Sequence, residues 1–286
     1  MANRCVRQEN SNSIMVKIAI LITCFNRREK TVKCLNHLFL SKLPKDYILD
    51  VFLVDDGSTD GTSDAVKKNF PEVNIIQGNG NLYWNQGMRL AWSTASNTDD
   101  FDYYIWLNDD TFLDTGALKE LIECYYEIKN KGIITGACRK EKKSNEFSYG
   151  GRNDEEEVIP NGKIQQCKYI NGNVVLVPKE VFTVLGNLSN DYTHAMGDFD
   201  YGLRALGEGF TCYTTKTFIA TCALNIGIPG WCDPQNSFKK RWELLHSPRG
   251  LNIKEYIVFR KKNMENDWFL YAVKAYCKMI FPNLYK

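Results

Sequence analysis

The chain has 286 residues, 44% of them hydrophobic and 24% charged, which suits a folded protein with one large core or two small ones. Its net charge is +2 with both signs interspersed, so we expect no nucleic-acid partner. The ten cysteines stand singly without CxxC spacing, which argues against a zinc or redox site.

The N-terminal segment, residues 1–15, is polar, and we expect it to be flexible. It contains no apolar stretch of the kind found in secretory signals, and no segment of the sequence is apolar enough to span a bilayer. We therefore expect a cytoplasmic protein with reduced thiols.

Short apolar runs alternate with helical patterns through the first 130 residues. The predicted strands are 16–23, 51–54, 73–76 and 103–107, and the predicted helices are 31–40, 63–69, 86–96 and about 114–130. This alternation predicts an α/β fold with a doubly wound, mostly parallel sheet.

The pattern loosens after Ile134. The prediction there is loops and short strands over 141–168, a strand over 169–177, a short helix starting at Pro178, a helix over 197–206 and extended chain over 210–220. From Phe238 onward the sequence is helical and amphipathic.

Polar clusters follow three of the predicted strands directly. They are 23–27, 55–61 and 108–111. Because the carboxyl ends of parallel strands meet at one edge of a sheet, we expect these clusters to converge in a single ligand-binding crevice.

Two pairs of adjacent acids, Asp55-Asp56 and Asp109-Asp110, end predicted strands. Adjacent carboxylates repel one another unless a cation or hydrogen-bond donors are present, and Mg²⁺ prefers a few such oxygens together with phosphates. The alternative is that these acids cap the following helices. We favour capping for Asp60 and metal binding for Asp110.

Common phosphate-binding loops are absent from the sequence. There is no GxxxxGK(S/T) motif, and no GxGxxG follows the first strand, which argues against an ATPase or a classical dehydrogenase. Gly78, Gly80 and Gly87 cluster after the third strand, where they would allow close approach to a ligand or would simply form a turn.

The order and spacing of five segments resemble a family-2 glycosyltransferase of the GT-A fold, close to rhamnosyltransferase-like members of polysaccharide pathways. The segments, found between about Val16 and Asn225, are ILITCFNR, VDDGSTDGT, GNGNLYWNQGM, WLNDDTFLD and GDFDYGLRALGEGF. The resemblance implies a catalytic domain over 16–235, with a nucleotide-binding half of about 16–112 and an acceptor half of about 113–235. Residues 236–286 would form a helical C-terminal extension.

The resemblance also implies a donor site for a nucleotide sugar, in which the 23–26 turn and Asp56 hold the base and ribose and Asp109 lies near the ribose. Trp84 would line the donor-sugar pocket or plug the core. The implied donor-site residues are Thr23, Phe25, Asn26, Arg27, Asp55, Asp56, Gly57, Trp84, Gly87, Asn108 and Asp109.

A metal site is implied by Asn108-Asp109-Asp110, which resembles the DxD motif with Asn in its first position. Asp110 would bind Mg²⁺ or Mn²⁺, and the metal would neutralise the leaving diphosphate. Many relatives complete this site with a downstream His, but the matching segment here, 220–225, has none.

In the acceptor half, Asp198 aligns with the catalytic base of the family and would deprotonate the acceptor hydroxyl in one inverting displacement. The alternative role for Asp198 is that of an acid favouring the helix dipole. Asp200 and Arg204 would form an i,i+4 ion pair, unless Arg204 contacts the diphosphate. The acceptor candidates are Gly172, Asn173, His194 and Asp200.

The C-terminal segment places Phe269, Val273, Tyr276 and Ile280 on one helical face, with Lys274 and Lys278 beside it. This face would contact an anionic membrane, or would dock on the catalytic domain or on a second subunit as a homodimer.

The expected activity is transfer of a sugar from a UDP- or dTDP-sugar to a hydroxyl of a growing glycan or lipid-linked acceptor, in bacterial surface polysaccharide synthesis. The enzyme would work in the cytoplasm, as a peripheral protein on the inner face of the cell membrane. Two alternatives remain, a sugar-phosphate nucleotidyltransferase and an inactive nucleotide-sugar sensor or scaffold. The first would need a glycine-rich loop after the first strand, where this chain has CFNRREK.

Overall fold

The computed structural model describes residues 15–129, 132–154, 156–225, 227–264 and 267–285. Apart from Met15, the segment predicted to be flexible, 1–15, lies outside the described residues.

The first half of the chain alternates strands and helices as predicted. Its elements are β1 (Val16–Cys24), α1 (Arg28–Leu40), β2 (Tyr47–Asp55), α2 (Thr62–Asn69), β3 (Asn74–Gln77), α3 (Tyr83–Thr98), β4 (Tyr103–Leu107), β5 (Phe112–Leu113) and α4 (Ala117–Glu127). Helix α4 is shorter at both ends than the predicted 114–130, and β2 starts four residues earlier than predicted.

The second half contains more strands than the sequence pattern indicates. Its elements are β6 (Gly132–Arg139), β7 (Phe147–Tyr149), β8 (Arg152–Asn153), β9 (Glu156–Glu157), β10 (Gln165–Cys167), β11 (Val174–Pro178), α5 (Lys179–Leu185), α6 (Gly197–Gly207), β12 (Thr211–Thr221), α7 (Phe238–Leu245), α8 (Ile253–Asn263), α9 (Trp268–Ile280) and a 3₁₀ turn (Pro282–Tyr285). Strand β6 was missed, and the predicted strand 169–177 is a loop up to Asn173.

The main sheet has the strand order β10-β12-β6-β11-β4-β1-β2-β3. Strands β1, β2, β3 and β4 are parallel neighbours, whereas β11 runs antiparallel between β4 and β6. The predicted α/β, mostly parallel sheet is therefore confirmed, with one antiparallel strand at its centre that joins the two halves.

The sheet is covered by helices on both faces. Along β1, Ile18, Ile20 and Ile22 face one core with α1 and α4, whereas Ala19 and Leu21 face the other with α3 and α6, and all five are fully buried. Burial on both faces explains why the strand appears in the sequence as a continuous apolar run. Rigid parallel strands thus position the loops at their carboxyl ends.

The C-terminal helices form a small core of their own and also contact the rest of the protein. Leu245, Ile253, Ala275 and Met279 are buried together between α7, α8 and α9. From α8, the Glu255 carboxylate accepts hydrogen bonds from the backbone N–H and hydroxyl of Thr193, at 3.0 and 2.7 Å. Over the described part of the chain, no helix has the length and hydropathy needed to cross a membrane.

Candidate active site

The turn after β1 is tied to the turn after β2. The Asn26 N–H donates to Ser58 Oγ at 2.8 Å, and Asn26 Oδ1 accepts from the Thr59 N–H at 2.7 Å. Asn26 has a positive φ of 51°, a conformation that asparagine adopts more readily than most residues. Its side chain therefore fixes the loop geometry, and Asn26 itself does not line the cleft.

The two acids after β2 have separate roles. Asp55 is buried and accepts hydrogen bonds from the Ser58 N–H, at 2.8 Å, and from the Ser63 hydroxyl, so it holds the turn together. Asp56 faces the cleft, and its carboxylate accepts three backbone N–H groups at 2.8–3.0 Å, from the 80–83 segment. These bonds offset the cost of burying its charge.

Two predicted donor-site glycines act through packing inside the protein. A Cβ at Gly87 would lie 2.2 Å from Thr23 Oγ1, so this glycine lets α3 approach β1. Gly57 has a φ of +79° and packs against the backbone of Gly80. Neither glycine lines the cleft.

Trp84 connects the loop after β4 with the segment before β11. Its indole Nε1–H donates to Asn108 Oδ1 at 2.6 Å, and its ring lies so close to Gly172 that a Cβ there would be 2.3 Å away. The ring also contacts Trp106 edge-on, at 6.1 Å between centroids. Trp84 therefore both lines the cleft and plugs the core, and Asn108 positions it.

The acidic pair after β4 is bridged by an arginine. Arg27 Nη1 lies 3.0 Å from Asp109 Oδ1 and 2.8 Å from Asp110 Oδ2. Burial raises the pKa of Asp109 to about 6, although the Arg27 charge opposes that rise. The Asp110 side chain is 22% exposed, which makes it the carboxylate open to the cleft.

Cys222 occupies the region where the family His is absent. Its Sγ lies 3.8 Å from Asp110 Oδ1 and accepts from Asn173 Nδ2 at 3.1 Å. Burial raises the pKa of this thiol to about 11. Asn173 also donates to Thr111 Oγ1 at 3.0 Å, so the segment before β11 braces the loop after β4.

The donor set suits a divalent metal that is shared with phosphate oxygens. No group of three His, Cys, Asp or Glu side chains within the described ranges is placed to hold a metal ion alone. Mg²⁺ commonly binds through one or two carboxylates and completes its shell with substrate phosphates and water. Asp110 and a bound diphosphate fit that pattern.

Asp198 lies in the first turn of α6 with its carboxylate in the cleft. Asp198 Oδ2 accepts from the Gly172 N–H at 2.9 Å, and Oδ1 accepts from the Phe199 N–H at 2.9 Å. Burial raises its pKa, while these N–H groups oppose the rise. This carboxylate is held in place and made more basic, as a general base requires.

His194 lines the cleft near Trp84. Its Nδ1 accepts from the Trp84 backbone N–H at 3.3 Å, which places the proton of the neutral ring on Nε2. Desolvation lowers its pKa, and the nearby Arg27 charge adds to that effect. The lowered pKa favours the neutral ring, in which Nε2 carries the N–H.

Asp200 is an internal residue. It accepts hydrogen bonds from Tyr192 Oη and Asn263 Nδ2 at 3.0 Å and pairs with Arg204 Nε at 2.8 Å. Arg204 also donates to two backbone carbonyls, so the ion-pair role is confirmed and the guanidinium is held away from the cleft. The pair joins α6 to α8.

Replacing Asp200 by Ala is expected to destabilise the protein by about 3 kcal/mol, because the Arg204 charge would lose its buried partner. Urea denaturation should show the loss, and Glu208→Ala, at an exposed position just after the same helix, should leave stability nearly unchanged. Equal stability of the two variants would contradict the structural role of Asp200.

The cleft has a volume of about 800 Å³ and brings both halves of the predicted site together. The predicted residues that line it are Thr23, Phe25, Arg27, Asp56, Trp84, Asn108, Asp109, Asp110, Gly172, Asn173, His194 and Asp198. Asn26, Asp55, Gly57, Gly87 and Asp200 lie outside its lining. Cys222 and Arg249 also line it, and sequence reasoning named neither for the site.

Two solved structures have folds similar to that of this chain. The mannosyltransferase PcManGT from Pyrobaculum calidifontis, in complex with GDP-Man and Mn²⁺, is similar over 94% of this chain and 71% of its own, with a TM-score of 0.58 and 13% identity. Residues 1–349 of S. aureus TarS in complex with UDP-GlcNAc are similar over 93% of this chain and 72% of that chain, with a TM-score of 0.55 and 12% identity. The fold is therefore of the GT-A type.

The chain belongs to glycosyl transferase family 2, whose family model matches residues 19–179, more than half of its length. A poly-beta-1,6-N-acetyl-D-glucosamine synthase of Staphylococcus epidermidis is 25% identical over 149 residues, 50% of this chain and 33% of the relative. Its counterpart from Staphylococcus aureus strain COL is 28% identical over 134 residues, 44% of this chain and 30% of the relative. The chain spans about a third of the length of these curated relatives.

Proposed function

We propose that this glycosyltransferase moves a sugar from a nucleotide diphosphate donor to a hydroxyl of a growing glycan, with inversion at the anomeric carbon. The observation that carries the proposal is that Asp110 and Asp198 line the same cleft. The Asp110 side chain is partly exposed, and the Asp198 carboxylate is oriented by two backbone N–H groups.

The donor side would hold the nucleotide between the loops after β1, β2 and β4. Thr23, Phe25 and Asp56 line the part of the cleft assigned to the base and ribose, and Asp109 lies next to them. A UDP- or dTDP-sugar is the proposed donor. The neighbours solved with UDP-GlcNAc and with GDP-Man and Mn²⁺ support nucleotide-sugar binding at such a cleft. A bound Mg²⁺ or Mn²⁺ would supply positive charge to the diphosphate.

The acceptor side would use Asp198 as the base. Its carboxylate takes the proton of the acceptor hydroxyl as that oxygen forms a bond to the anomeric carbon, while the bond to the nucleoside diphosphate breaks on the opposite face. The two N–H groups that hold Asp198 fix its orientation, and burial raises its pKa, so its affinity for the proton exceeds that of an exposed aspartate.

A donor panel tests this proposal. The enzyme is incubated with UDP-, dTDP- and GDP-sugars and Mn²⁺, and nucleotide release is measured with and without bacterial glycan or lipid-linked acceptors. Release of one nucleotide together with a product whose new bond has the opposite anomeric configuration by NMR would support it. No release from any donor, with no nucleotide bound, would contradict it and would favour a scaffold.

We also propose that the enzyme works in the cytoplasm at the inner membrane surface, where a lipid-linked acceptor would be found. Helix α9 and the turn after it expose an apolar face, and lysines lie beside this face, which matches an anionic lipid surface. The exposed apolar residues are Phe269, Leu270, Val273, Ile280, Phe281 and Leu284, and the exposed lysines on α9 are Lys274 and Lys278. Tyr276, predicted on the same face, instead packs towards α7.

If α9 contacts a membrane, the protein should float together with vesicles of phosphatidylcholine and phosphatidylglycerol in a flotation assay. Changing Phe269 and Leu270 together to Glu should weaken that binding by about ten-fold or more, because two apolar side chains lose their burial in lipid. Val184→Glu, at an exposed apolar position on α5, is the control. If the wild type did not bind vesicles and formed a dimer in solution, and the double variant did not form that dimer, the face would contact a second copy of the chain instead.

A further inference from the structure

A single nitrogen of Arg27 lies between the two carboxylates after β4. Nη1 is 3.0 Å from Asp109 Oδ1 and 2.8 Å from Asp110 Oδ2, so one positive centre bridges both acids. Lys30 Nζ is farther away, at 3.9 Å from the same Asp110 oxygen. The guanidinium thus supplies the positive charge that a divalent cation would bring to Asp110.

The two acids, Asp109 and Asp110, depend on a counter-ion more strongly than Arg27 depends on the acids. The Asp109 side chain is only 7% exposed, and neighbouring carboxylates disfavour each other's charge. The Arg27 side chain is 44% exposed and lines the cleft. Within the described part of the chain, its hydrogen bonds and ion pairs go to these two carboxylates. Arg27 can therefore leave without breaking the core.

We propose that Arg27 is a resting counter-ion that competes with the divalent metal for Asp110 until a nucleoside diphosphate draws it away. Guanidinium groups bind phosphates through paired hydrogen bonds, so a diphosphate entering the cleft offers Arg27 a new partner. Asp110, freed from Arg27, would then hold the metal, which would supply positive charge to the diphosphate. The enzyme would take up metal with its nucleotide and bind it poorly without one.

This inference rests on the proposed function, which assigns the metal to Asp110. It differs from the simpler explanation that metal binding is weak only because ligands are few. If too few ligands were the whole cause, removing Arg27 would leave metal affinity unchanged. If Arg27 competes with the metal, removing Arg27 should raise metal affinity in the absence of nucleotide. It should also reduce the increase in metal affinity that the nucleotide causes, because binding linkage is reciprocal.

Manganese titration separates these cases. Free Mn²⁺ is followed by its electron paramagnetic resonance signal, with and without UDP, at a pH well above the Asp109 pKa of about 6. The variants are Arg27→Gln, Arg27→Ala and Arg27→Lys, which retains the charge. Arg28→Gln is the matched control, since the Arg28 guanidinium lies beside Gly61 and away from the acidic pair.

Without nucleotide, we expect Arg27→Gln and Arg27→Ala to bind Mn²⁺ about ten-fold or more tightly than the wild type, because a charge about 3 Å from the ligand oxygen is removed. Arg27→Lys should gain less, and Arg28→Gln should behave as the wild type does. UDP should strengthen Mn²⁺ binding more in the wild type than in Arg27→Gln. Adding Asp110→Asn to Arg27→Gln should abolish the gain.

Two results would overturn the inference. One is Mn²⁺ binding by Arg27→Gln and Arg27→Ala, confirmed as folded by thermal melting, that is no tighter than in Arg28→Gln. If the wild type still bound Mn²⁺ with UDP, the proposed function would stand. The other is no Mn²⁺ binding by any variant even with UDP, which would remove the metal assignment of the proposed function together with the inference.

Discussion

Asp198→Asn is expected to lower the rate of sugar transfer by about 10²–10⁴-fold, the range that a positioned general base contributes. The amide keeps the size of the carboxylate and can still accept the Gly172 N–H, but it cannot take the proton of the acceptor hydroxyl. Nucleotide affinity should stay close to that of the wild type, because the proposed role of Asp198 is toward the acceptor and not toward the nucleotide. Steady-state transfer assays and calorimetry with the nucleotide measure the two effects separately.

The pH dependence of the transfer rate provides a second test of Asp198 as the base. Burial raises the folded pKa of Asp198, so the transfer rate should be full above that raised pKa and should fall as the pH drops through it. This acid limb should lie above the range of an ordinary aspartate.

Asp64→Asn is the matched control for Asp198→Asn, since Asp64 is an exposed acid in the first turn of α2. If both variants lost similar activity, or if Asp198→Asn transferred sugar at the wild-type rate, Asp198 would not be the base. Its role would then be the stabilisation of the helix N-terminus.

Asp110→Asn should reduce both metal-dependent nucleotide binding and turnover, by about 10²-fold or more, since a metal contributes several kcal/mol of charge stabilisation at a leaving diphosphate. The neutral amide is a poorer metal ligand. It also removes the ion pair between Arg27 and Asp110 Oδ2, which are 2.8 Å apart. Calorimetry with UDP, with and without Mn²⁺, should show that the benefit of the metal is lost.

Asp100→Asn provides the comparison for that loss. Asp100 is an exposed acid paired with Lys179, and it precedes β4 at the end of the strand opposite the cleft. An Asp110→Asn enzyme that kept the wild-type response to Mn²⁺ would contradict the metal assignment.

Much of the site could be predicted from the sequence because parallel strands end at the same edge of a sheet. Buried apolar runs identified β1, β2 and β4, and the polar residues at their ends had to meet at one edge of the sheet. The loops after these strands do meet in one cleft, where Arg27 reaches Asp109 and Asp110 across more than 80 positions of sequence. Local patterns sufficed because the sheet topology supplied the long-range contacts.

The rest depended on contacts that no local pattern encodes. Strand β6 contains two glycines that pack against β12 and β11, so its sequence lacks the period of an ordinary strand. Cys222 reaches Asp110 because β12 runs beside β6 and pairs with β5, just after the acidic pair. Arg249 comes from the loop between α7 and α8, and only the docking of the C-terminal helices brings it to the cleft.

Acidic residues were the hardest to assign from sequence. Asp55 and Asp56 are adjacent, yet one holds a turn through Ser58 and Ser63 while the other faces the cleft. Asp198 and Asp200 differ in the same way, because positions two apart on a helix point in different directions. Composition and spacing cannot separate a buried carboxylate with internal donors from one that awaits a ligand.

The most direct test of the account is calorimetric titration of the wild-type protein with UDP, dTDP, GDP and CMP, each with and without Mn²⁺. We expect binding of one nucleoside diphosphate, UDP or dTDP, that becomes tighter when Mn²⁺ is present. Failure of every nucleotide to bind under both conditions would contradict the central claim that this cleft is the donor site of a glycosyltransferase.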